Sequence, residues 1–518
     1  MSNKRLIKST GIISFGILCS RVLGFARDIL IANFFGTTML AEAFVVSFRI
    51  PNLMRDLVGE GAANAAFVPV LTDYHTKHTE KEFWQLSRSL LYILIAVLFV
   101  ISLSGVLLAP SIVRLIAPGF MGDPVKMQTT IALTRVMFPF IFLIGLVAYG
   151  MGVLNSLNHF TVPAFGPMLL NLSMIFFLIY VCPKMGIMGL ATAVLIGGIL
   201  QVMILAAVLY KKGFRLKMPR YILHPAIKRI WKLLIPRVFG SAVYQLSVIV
   251  DNIFSTFEGI VGIGAPAALW YSYRLFHLPL AIFGIALATV ALPKMSREVA
   301  KNNIPALKET IEFSMRSVFL VLIPAGIGLA TLGEPIIRIL FQRGEFTAYS
   351  TAITYNALFF YSFGLFACGG IKILVNSFFS LGDTLTPVKI ASISFCINLV
   401  LNYALMWPLK LGGLALATSI AATSNFILLY MFLTRKIGNL GARRMAKSFL
   451  RIVIAGIIMG VFSLVGANLL NGFDRGFVLN MLSIAAIVLL SVGIYSIACI
   501  ILGVPEMKKF VKWILKRE

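Results

Sequence analysis

Apolar stretches of 18 to 25 residues recur along the whole chain. About 20 consecutive apolar residues are enough for an α-helix to cross the hydrocarbon core of a bilayer. Composition agrees with this reading, because only 13% of the 518 residues are charged, whereas a soluble domain carries roughly a quarter. The pattern therefore predicts an all-α polytopic membrane protein and excludes a string of ordinary soluble domains.

Fourteen of these stretches are predicted to be transmembrane helices. The second and the eighth carry charges and glycines, which is consistent with broken helices that line a cavity. The fourteen predicted spans are 10–34, 39–64, 89–112, 128–155, 160–182, 186–210, 233–256, 262–292, 317–333, 348–380, 386–408, 411–434, 449–470 and 478–503.

Lysine and arginine are unequally divided between alternate connections. If the N-terminus is inside, the cytoplasmic segments hold 31 of them and the outer loops hold 7, including Lys126. The positive-inside rule then places both termini in the cytoplasm. The tail 505–517 is predicted to be a basic amphipathic helix on the inner leaflet. The net charge of +27 therefore mostly reflects topology and does not indicate a nucleic-acid partner.

The other eight of the 46 basic residues fall inside or at the ends of apolar spans. A charge at mid-membrane costs at least about 3 kcal/mol, so such residues normally face a polar cavity. Arginine predominates among them, and its planar fork suits phosphate or carboxylate. The eight are Arg21, Arg27, Arg49, Arg55, Arg135, Arg237, Arg274 and Lys372. The embedded acids are five, namely Asp28, Glu42, Asp56, Glu60 and Asp251.

Several of these charges also have purely structural interpretations. Arg55, Asp56 and Glu60 are spaced to form a local ion-pair network near a helix end. Arg27 and Asp28 are adjacent and point about 100° apart on a helix, so a simple pair between them is not expected. Three bases are placed where a long side chain can snorkel to the interface, namely Arg135, Arg237 and Lys372.

The chain also contains an internal repeat at a shift of about 224 residues. The sequence Gly-Leu-Ala at 189–191 recurs at 413–415, and Pro163 falls on Pro387. Each repeat holds six helices, so the halves are parallel, and a pseudo-twofold axis along the membrane normal would relate two six-helix lobes. The last two helices lie outside the repeat. The predicted divisions are 1–222, 223–440 and 441–518.

A second polar constellation consists of Asp251, Asn398, Asn402 and Thr418. Asn398 and Asn402 share a helical face, and their oxygens with the carboxylate form a candidate site for Na⁺ or H⁺. Hydrogen bonding between helices is the alternative, because embedded Asn and Thr usually serve that purpose. The chain has no P-loop, HExxH or GxSxG motif, so no catalytic residues and no other cofactor are predicted.

Four motifs carry a resemblance to a known family. The stretch 20–28, SRVLGFARD, resembles the N-terminal signature of the MurJ (MviN) family of bacterial lipid II flippases, in the MOP exporter superfamily. Further similar stretches are PNLMR at 51–55, FQRGEFT at 341–347 and TPVKI at 386–390. The resemblance implies two lobes around a central cavity and two C-terminal helices that line a hydrophobic groove.

The resemblance also implies a function and residue roles. The substrate would be lipid II, an undecaprenyl-diphosphate-linked disaccharide-pentapeptide, moved from the inner to the outer leaflet of the bacterial cytoplasmic membrane. Membrane lipids and the cell-wall synthesis machinery would be further partners. The cavity arginines would be Arg21, Arg27, Arg55 and Arg274. Cavity or gating roles would fall to Asp28, Glu42, Arg49, Glu60 and His277, and some members bind sodium near the positions of the polar constellation.

The chain departs from the family pattern beside Arg274. The preceding residue is often Asp and here is Tyr273, and the acid often found three residues later is here His277. His277 can titrate near neutral pH, although a structural histidine is equally consistent with its position. Gating chemistry carried by those acids in relatives is therefore in question for this chain.

Three other functions fit parts of the sequence. A MOP flippase for another polyprenyl-diphosphate oligosaccharide would need the same arginines. A cation-coupled multidrug exporter would need an acidic or aromatic cavity, which the excess of embedded bases disfavours. A scaffold for cell-wall assembly would tolerate loss of the embedded charges.

Overall fold

The computed structural model describes four stretches of the chain, 3–55, 66–221, 224–470 and 476–508. Within them, the backbone but not the side chains is described at residues 3–14, 17, 236–244 and 470. The described residues form α-helices joined by short turns, and they contain no β-strand. Glu60 and Asp56 lie outside the described residues, as does the side chain of Arg237.

The described residues form twenty-one α-helices. A 3-10 turn, Pro118–Gly122, precedes the sixth helix, and a π-helical turn, Leu280–Ile285, joins the thirteenth to the fourteenth. The helices are α1 (Asn3–Phe35), α2 (Met39–Met54), α3 (Val68–Lys77), α4 (Glu80–Leu107), α5 (Ala109–Ile116), α6 (Pro124–Met137), α7 (Phe140–Ser156), α8 (Thr161–Tyr180), α9 (Cys182–Met185), α10 (Ile187–Lys211), α11 (Pro225–Ser255), α12 (Glu258–Val261), α13 (Ala265–Pro279), α14 (Ala286–Ala300), α15 (Ile304–Phe341), α16 (Ala348–Ser362), α17 (Leu365–Ser380), α18 (Leu385–Leu409), α19 (Leu411–Ile437), α20 (Ala442–Leu470) and α21 (Phe477–Ile501).

Ten helical stretches among the described residues are long and apolar enough to cross a membrane. The pair α16 and α17, bent by 46° at its break, makes eleven if it is one span. The other three predicted spans fall on α1, α2 and α11, which carry several of the embedded charges. The polytopic helical class is confirmed, and the count of fourteen stays a prediction.

The helix boundaries repeat with the predicted shift of 224 residues. Helices α4 and α6 start at residues 80 and 124, and α15 and α16 start at 304 and 348. Helices α8 and α10 start at 161 and 187, and α18 and α19 start at 385 and 411. Four helix starts thus recur without a single-residue deviation, so the predicted repeat is confirmed in the secondary structure.

The chain divides into two compact units, Met1–Phe257 and Glu258–Glu518. The boundary follows α11, although the sequence repeat predicts a division at 222, before that helix. Helix α11 belongs to the first unit because it packs against α2, α3, α4 and α5. A sequence repeat records which segments correspond, whereas a compact unit records which segments touch. The three-part division of the chain therefore stays a prediction.

Two helix pairs organise the embedded charges of the first unit. Helix α1 packs along α8, and α2 packs along α6. A hydrogen bond joins α2 to α6, because the Ser47 hydroxyl donates to the Thr130 carbonyl at 2.9 Å. Beside it lies a buried apolar cluster of Val46, Val113, Ile116, Ala117 and Phe120.

In the second unit, the long helix α15 packs against α14, α16, α17 and α20. Arg316 on α15 contacts Glu506 through Nε at 2.8 Å and Glu312 through Nη1 at 3.4 Å. Arg444 on α20 contacts the other oxygen of Glu312 at 3.3 Å. The start of the predicted tail helix is therefore buried against α15 through Glu506. Residues 509–518 of that tail lie outside the described residues.

Candidate substrate-binding residues

Arg27 is buried between α1 and α8, with 4% of its surface exposed. Its Nη2 and Nε donate to Asp28 Oδ1 at 2.6 and 3.0 Å. Its Nη1 donates to Asn171 Oδ1 at 3.0 Å and lies 3.9 Å from the sulfur of Met174. The guanidinium is therefore held by groups from two helices.

The expectation that Arg27 and Asp28 do not pair is wrong. Their Cα–Cβ bonds diverge on the helix, but the four-bond arginine side chain is long enough to fold back onto its neighbour. Burial provides the driving force, because two charges in a low-dielectric environment are stable only when they pair and are hydrogen-bonded. Asp28 is 2% exposed.

Asn171 is a site residue that the sequence reasoning missed. Its Nδ2 donates to the Ser20 carbonyl at 3.0 Å, which leaves Oδ1 facing Arg27. The amide thus ties the Arg27 guanidinium to the backbone of α1 from the opposite helix. A lone asparagine in the apolar span of α8 was the available signal, because embedded amides commonly bond between helices.

Glu42 and Lys126 form a second buried pair in the first unit, between α2 and α6. The Lys126 ammonium bonds to Glu42 Oε2, and the two residues are 2% and 0% exposed. The ammonium also lies 4.1 Å from the centroid of the Phe120 ring, a favourable cation–π contact.

Assigning Lys126 to a loop is therefore wrong. Helix α6 begins at Pro124, four residues before the predicted span, and Asp123 caps it by accepting from the backbone of Val125 and Lys126 at 3.0 Å. The first turn of the helix carries Lys126 into the interior. The Asp-Pro pair was the sequence signal, since it is a common helix start.

The remaining predicted site residues of the first unit differ in exposure. Arg21 is exposed on α1, whereas Arg49 and Arg55 are half-buried along and just after α2. Glu60 lies outside the described residues. These arginines are thus more accessible than Arg27 to a group that approaches the first unit.

In the second unit, Arg274 lies near the end of α13 and is half-buried. Its guanidinium carbon is 4.4 Å from the centroid of the Trp270 ring, one turn earlier. A ring attracts a cation through its quadrupole but does not cancel the positive charge. The π-helical turn begins at Leu280, directly after Pro279, and such turns frequently occur at functional sites.

Tyr273 and His277 form part of an aromatic cluster on the same helix. Their ring centroids are 5.6 Å apart, with an interplanar angle of 38°. Tyr361 on α16 meets Tyr273 edge-on at 6.2 Å and Phe276 at 5.6 Å. Both Tyr273 and His277 are half-buried, whereas Tyr361 is buried.

The polar constellation is divided between the units. Asp251 is buried on α11 in the first unit. In the second unit, Asn402 Nδ2 donates to Asn398 Oδ1 at 3.2 Å, and Asn398 Nδ2 donates to Thr418 Oγ1 at 3.4 Å. The first bond lies within α18, and the second joins α18 to α19.

Comparison with known proteins identifies the family. The model of the family "Lipid II flippase MurJ" matches residues 31–485. The chain belongs to the MurJ family. A relative from Buchnera aphidicola subsp. Acyrthosiphon pisum, named "Probable lipid II flippase MurJ", is 34% identical and covers 92% of this chain and 93% of that protein.

Solved structures agree with the assignment to the MurJ family. One described as "Lipid II flippase MurJ, inward closed conformation" superposes with a TM-score of 0.79 at 25% identity, covering 94% of this chain and 98% of that one. A MATE multidrug transporter of the MOP superfamily superposes with a TM-score of 0.71 at 14% identity, covering 81% of this chain and 95% of that one. The second match shows a shared fold alone. Membership places the chain among multi-pass membrane transporters.

Proposed function

We propose that the chain flips lipid II from the inner to the outer leaflet of the bacterial cytoplasmic membrane by alternating access. The observation that carries the proposal is membership of the MurJ family across residues 31–485. The excess of embedded arginine supports it, because a diphosphate must exchange its water shell for charged hydrogen-bond donors when it leaves the aqueous phase.

The diphosphate is proposed to bind Arg21, Arg27, Arg55 and Arg274. Arg274 can offer a fork of N–H donors while its face rests on Trp270. At Arg27, Asp28 and Asn171 already accept hydrogen bonds from the guanidinium. A guanidinium has five N–H donors, so a phosphate oxygen that reaches Arg27 can use a remaining donor or displace the asparagine, whose neutral oxygen is a weaker acceptor than an anion.

Both termini are proposed to be cytoplasmic. Movement of lipid II from the inner to the outer leaflet carries its negative charge outward. With an inside-negative potential this movement is favourable by roughly 2.3 kcal/mol per charge per 100 mV. The cell-wall synthesis machinery that consumes lipid II at the outer leaflet is the proposed partner, and the polyprenyl tail remains among membrane lipids.

A coupling ion, Na⁺ or H⁺, is proposed to act at Asp251, Asn398, Asn402 and Thr418. Oxygen atoms of a carboxylate, two amides and a hydroxyl form a donor set that suits a small hard cation. In the second unit the Asn398 oxygen already accepts from Asn402. An amide oxygen has two lone pairs, so the Asn398 oxygen can accept from Asn402 and bind a cation at the same time.

Complementation of a flippase-depleted bacterium tests the proposal. Alanine at Arg27 or Arg274 is expected to abolish rescue of growth, with membrane levels checked by immunoblot. Arg135→Ala is the matched control, since Arg135 is an embedded but exposed arginine with no proposed contact to substrate, and it should rescue fully. Full rescue by both Arg27→Ala and Arg274→Ala would contradict the docking proposal.

Substrate competition separates the alternatives. Purified protein should bind labelled lipid II, and unlabelled lipid II should displace it more effectively than a polyprenyl-diphosphate oligosaccharide without the peptide. Displacement by a cationic drug but not by lipid II would favour a multidrug exporter.

A further inference from the structure

Helix α13 presents an arginine and aromatic rings on neighbouring positions. Arg274 and His277 are three residues apart and Tyr273 and His277 are four apart, so the His277 ring lies beside both on the helix surface. The centroids of the Tyr273 and His277 rings are 5.6 Å apart. Both residues are half-buried, so part of each ring is accessible.

An arginine beside aromatic rings suits a ligand in which a sugar is joined to an anionic group. A pyranose ring has an apolar face of C–H groups and a rim of hydroxyl groups, and a partly exposed Tyr or His offers an apolar face with a polar edge. A cationic fork beside such rings suits an anionic group attached directly to the sugar. A sugar diphosphate has these two parts in sequence.

We infer that Tyr273 and His277 form a sugar subsite, which contacts the first sugar of the substrate while Arg274 binds the adjacent phosphate. The inference rests on the proposed function and adds which part of the substrate these rings recognise. Tyr361 and Phe276 support the subsite from behind, because the buried Tyr361 ring packs against both Tyr273 and Phe276.

Binding to full-length protein in nanodiscs tests the subsite with two probes, lipid II and undecaprenyl diphosphate, which lacks the sugars. Tyr273→Leu and His277→Leu should each weaken lipid II binding about three- to tenfold, the magnitude of one lost aromatic contact. Binding of undecaprenyl diphosphate should be unchanged in both. Arg274→Ala should weaken binding of both probes.

Tyr180→Leu is the matched control. Tyr180 forms an exposed ring pair with Phe176 one turn away on α8, with centroids 4.9 Å apart, and its loss should affect neither probe. Equal weakening of both probes by Tyr273→Leu and His277→Leu, or no weakening of either, would overturn the subsite.

The wild-type protein provides a test that does not depend on how well the variants fold. It should bind lipid II more tightly than undecaprenyl diphosphate by at least the same three- to tenfold. Equal affinity would overturn the subsite and leave the flippase proposal intact. Failure of the wild type to bind either lipid would instead overturn the proposed function, and the subsite with it.

Discussion

Arg27 and Lys126 in the first unit have different neighbours from Arg274 in the second unit. In the first unit, Arg27 is bonded to Asp28 and Asn171, and Lys126 is bonded to Glu42, all of them nearly or fully buried. In the second unit, Arg274 is half-buried and packs over the Trp270 ring. A carboxylate neutralises a cation, whereas a ring stabilises it and leaves its charge.

The contrast separates structural charges from charges suited to a ligand. A buried ion pair is strongly destabilised when one partner is removed, since the other charge is left in a low-dielectric interior. A cation that packs on an aromatic ring loses much less stabilisation energy when that contact is removed. Removal of the Lys126 charge in the first unit is therefore expected to act mainly on stability, and removal of the Arg274 charge in the second unit mainly on substrate binding.

The largest effect is predicted for Lys126→Met. It leaves the Glu42 carboxylate buried without its ammonium partner, which should lower the free energy of unfolding by about 3–5 kcal/mol. Adding Glu42→Gln should restore most of this loss, because the unpaired charge is gone. Thermal unfolding of the purified protein measures both changes.

The prediction would fail if Lys126→Met unfolded at the same temperature as the wild type. It would also fail if the double variant were no more stable than Lys126→Met alone, because then the charge of Glu42 would not be the cause.

An intermediate effect is predicted for Asn171→Ala. The change removes the acceptor of Arg27 Nη1 and the donor to the Ser20 carbonyl, and leaving buried polar groups unsatisfied costs about 1–3 kcal/mol. Unfolding in a denaturant series measures the loss. Leu172→Ala, at an exposed neighbour on α8, is the control, and equal stability of the two variants would show that Arg27 is held by Asp28 alone.

The smallest effect is predicted for an ion pair outside the membrane spans. Asp383, in the turn before α18, accepts from Lys436 at 2.6 Å and from Thr386, and these bonds lower the pKa of the Asp383 carboxyl from 3.8 to about 2. Its contribution is therefore complete above pH 4 to 5 and is lost as the pH falls toward 2. Solvent screening limits it to about 1 kcal/mol.

The unfolding temperature of wild type and of Asp383→Asn checks this prediction across pH. The wild type should be the more stable at pH 7, and the difference should shrink as the pH falls below 4. A difference that is constant with pH would mean that the Asp383 charge contributes nothing, and would separate this solvated pair from the buried pairs more sharply still.

Much of the fold could be predicted from the sequence, because it depends on local pattern. Hydropathy places each predicted span on a described helix or pair of helices, and the 224-residue repeat gives the starts of α15, α16, α18 and α19 from those of α4, α6, α8 and α10. Errors arose where a helix began earlier than its apolar stretch. Lys126 was assigned to a loop for this reason, because hydropathy registers the apolar part of a helix and not its capped first turn.

The candidate residues were predictable by type but not by partner. The sequence singles out Arg27, Asp28 and Glu42 as embedded charges, yet Arg27 meets Asn171 across 144 residues of chain and Glu42 meets Lys126 across 84. Sequence spacing gives no measure of such approaches. Even the neighbouring pair of Arg27 and Asp28 depended on burial, which makes a bent-back side chain more stable than an extended one.

The sequence by itself determined that this is a repeated, helical membrane transporter of the MurJ family with an excess of embedded positive charge. Those properties follow from hydropathy, periodicity and motifs, which are written locally along the chain. Only the tertiary structure decided which groups lie beside each charge, such as Glu42 beside Lys126 in the first unit and the Trp270 ring beside Arg274 in the second. The physical reason is that charge interactions in a low-dielectric interior depend on distances of a few ångströms between helices far apart in sequence.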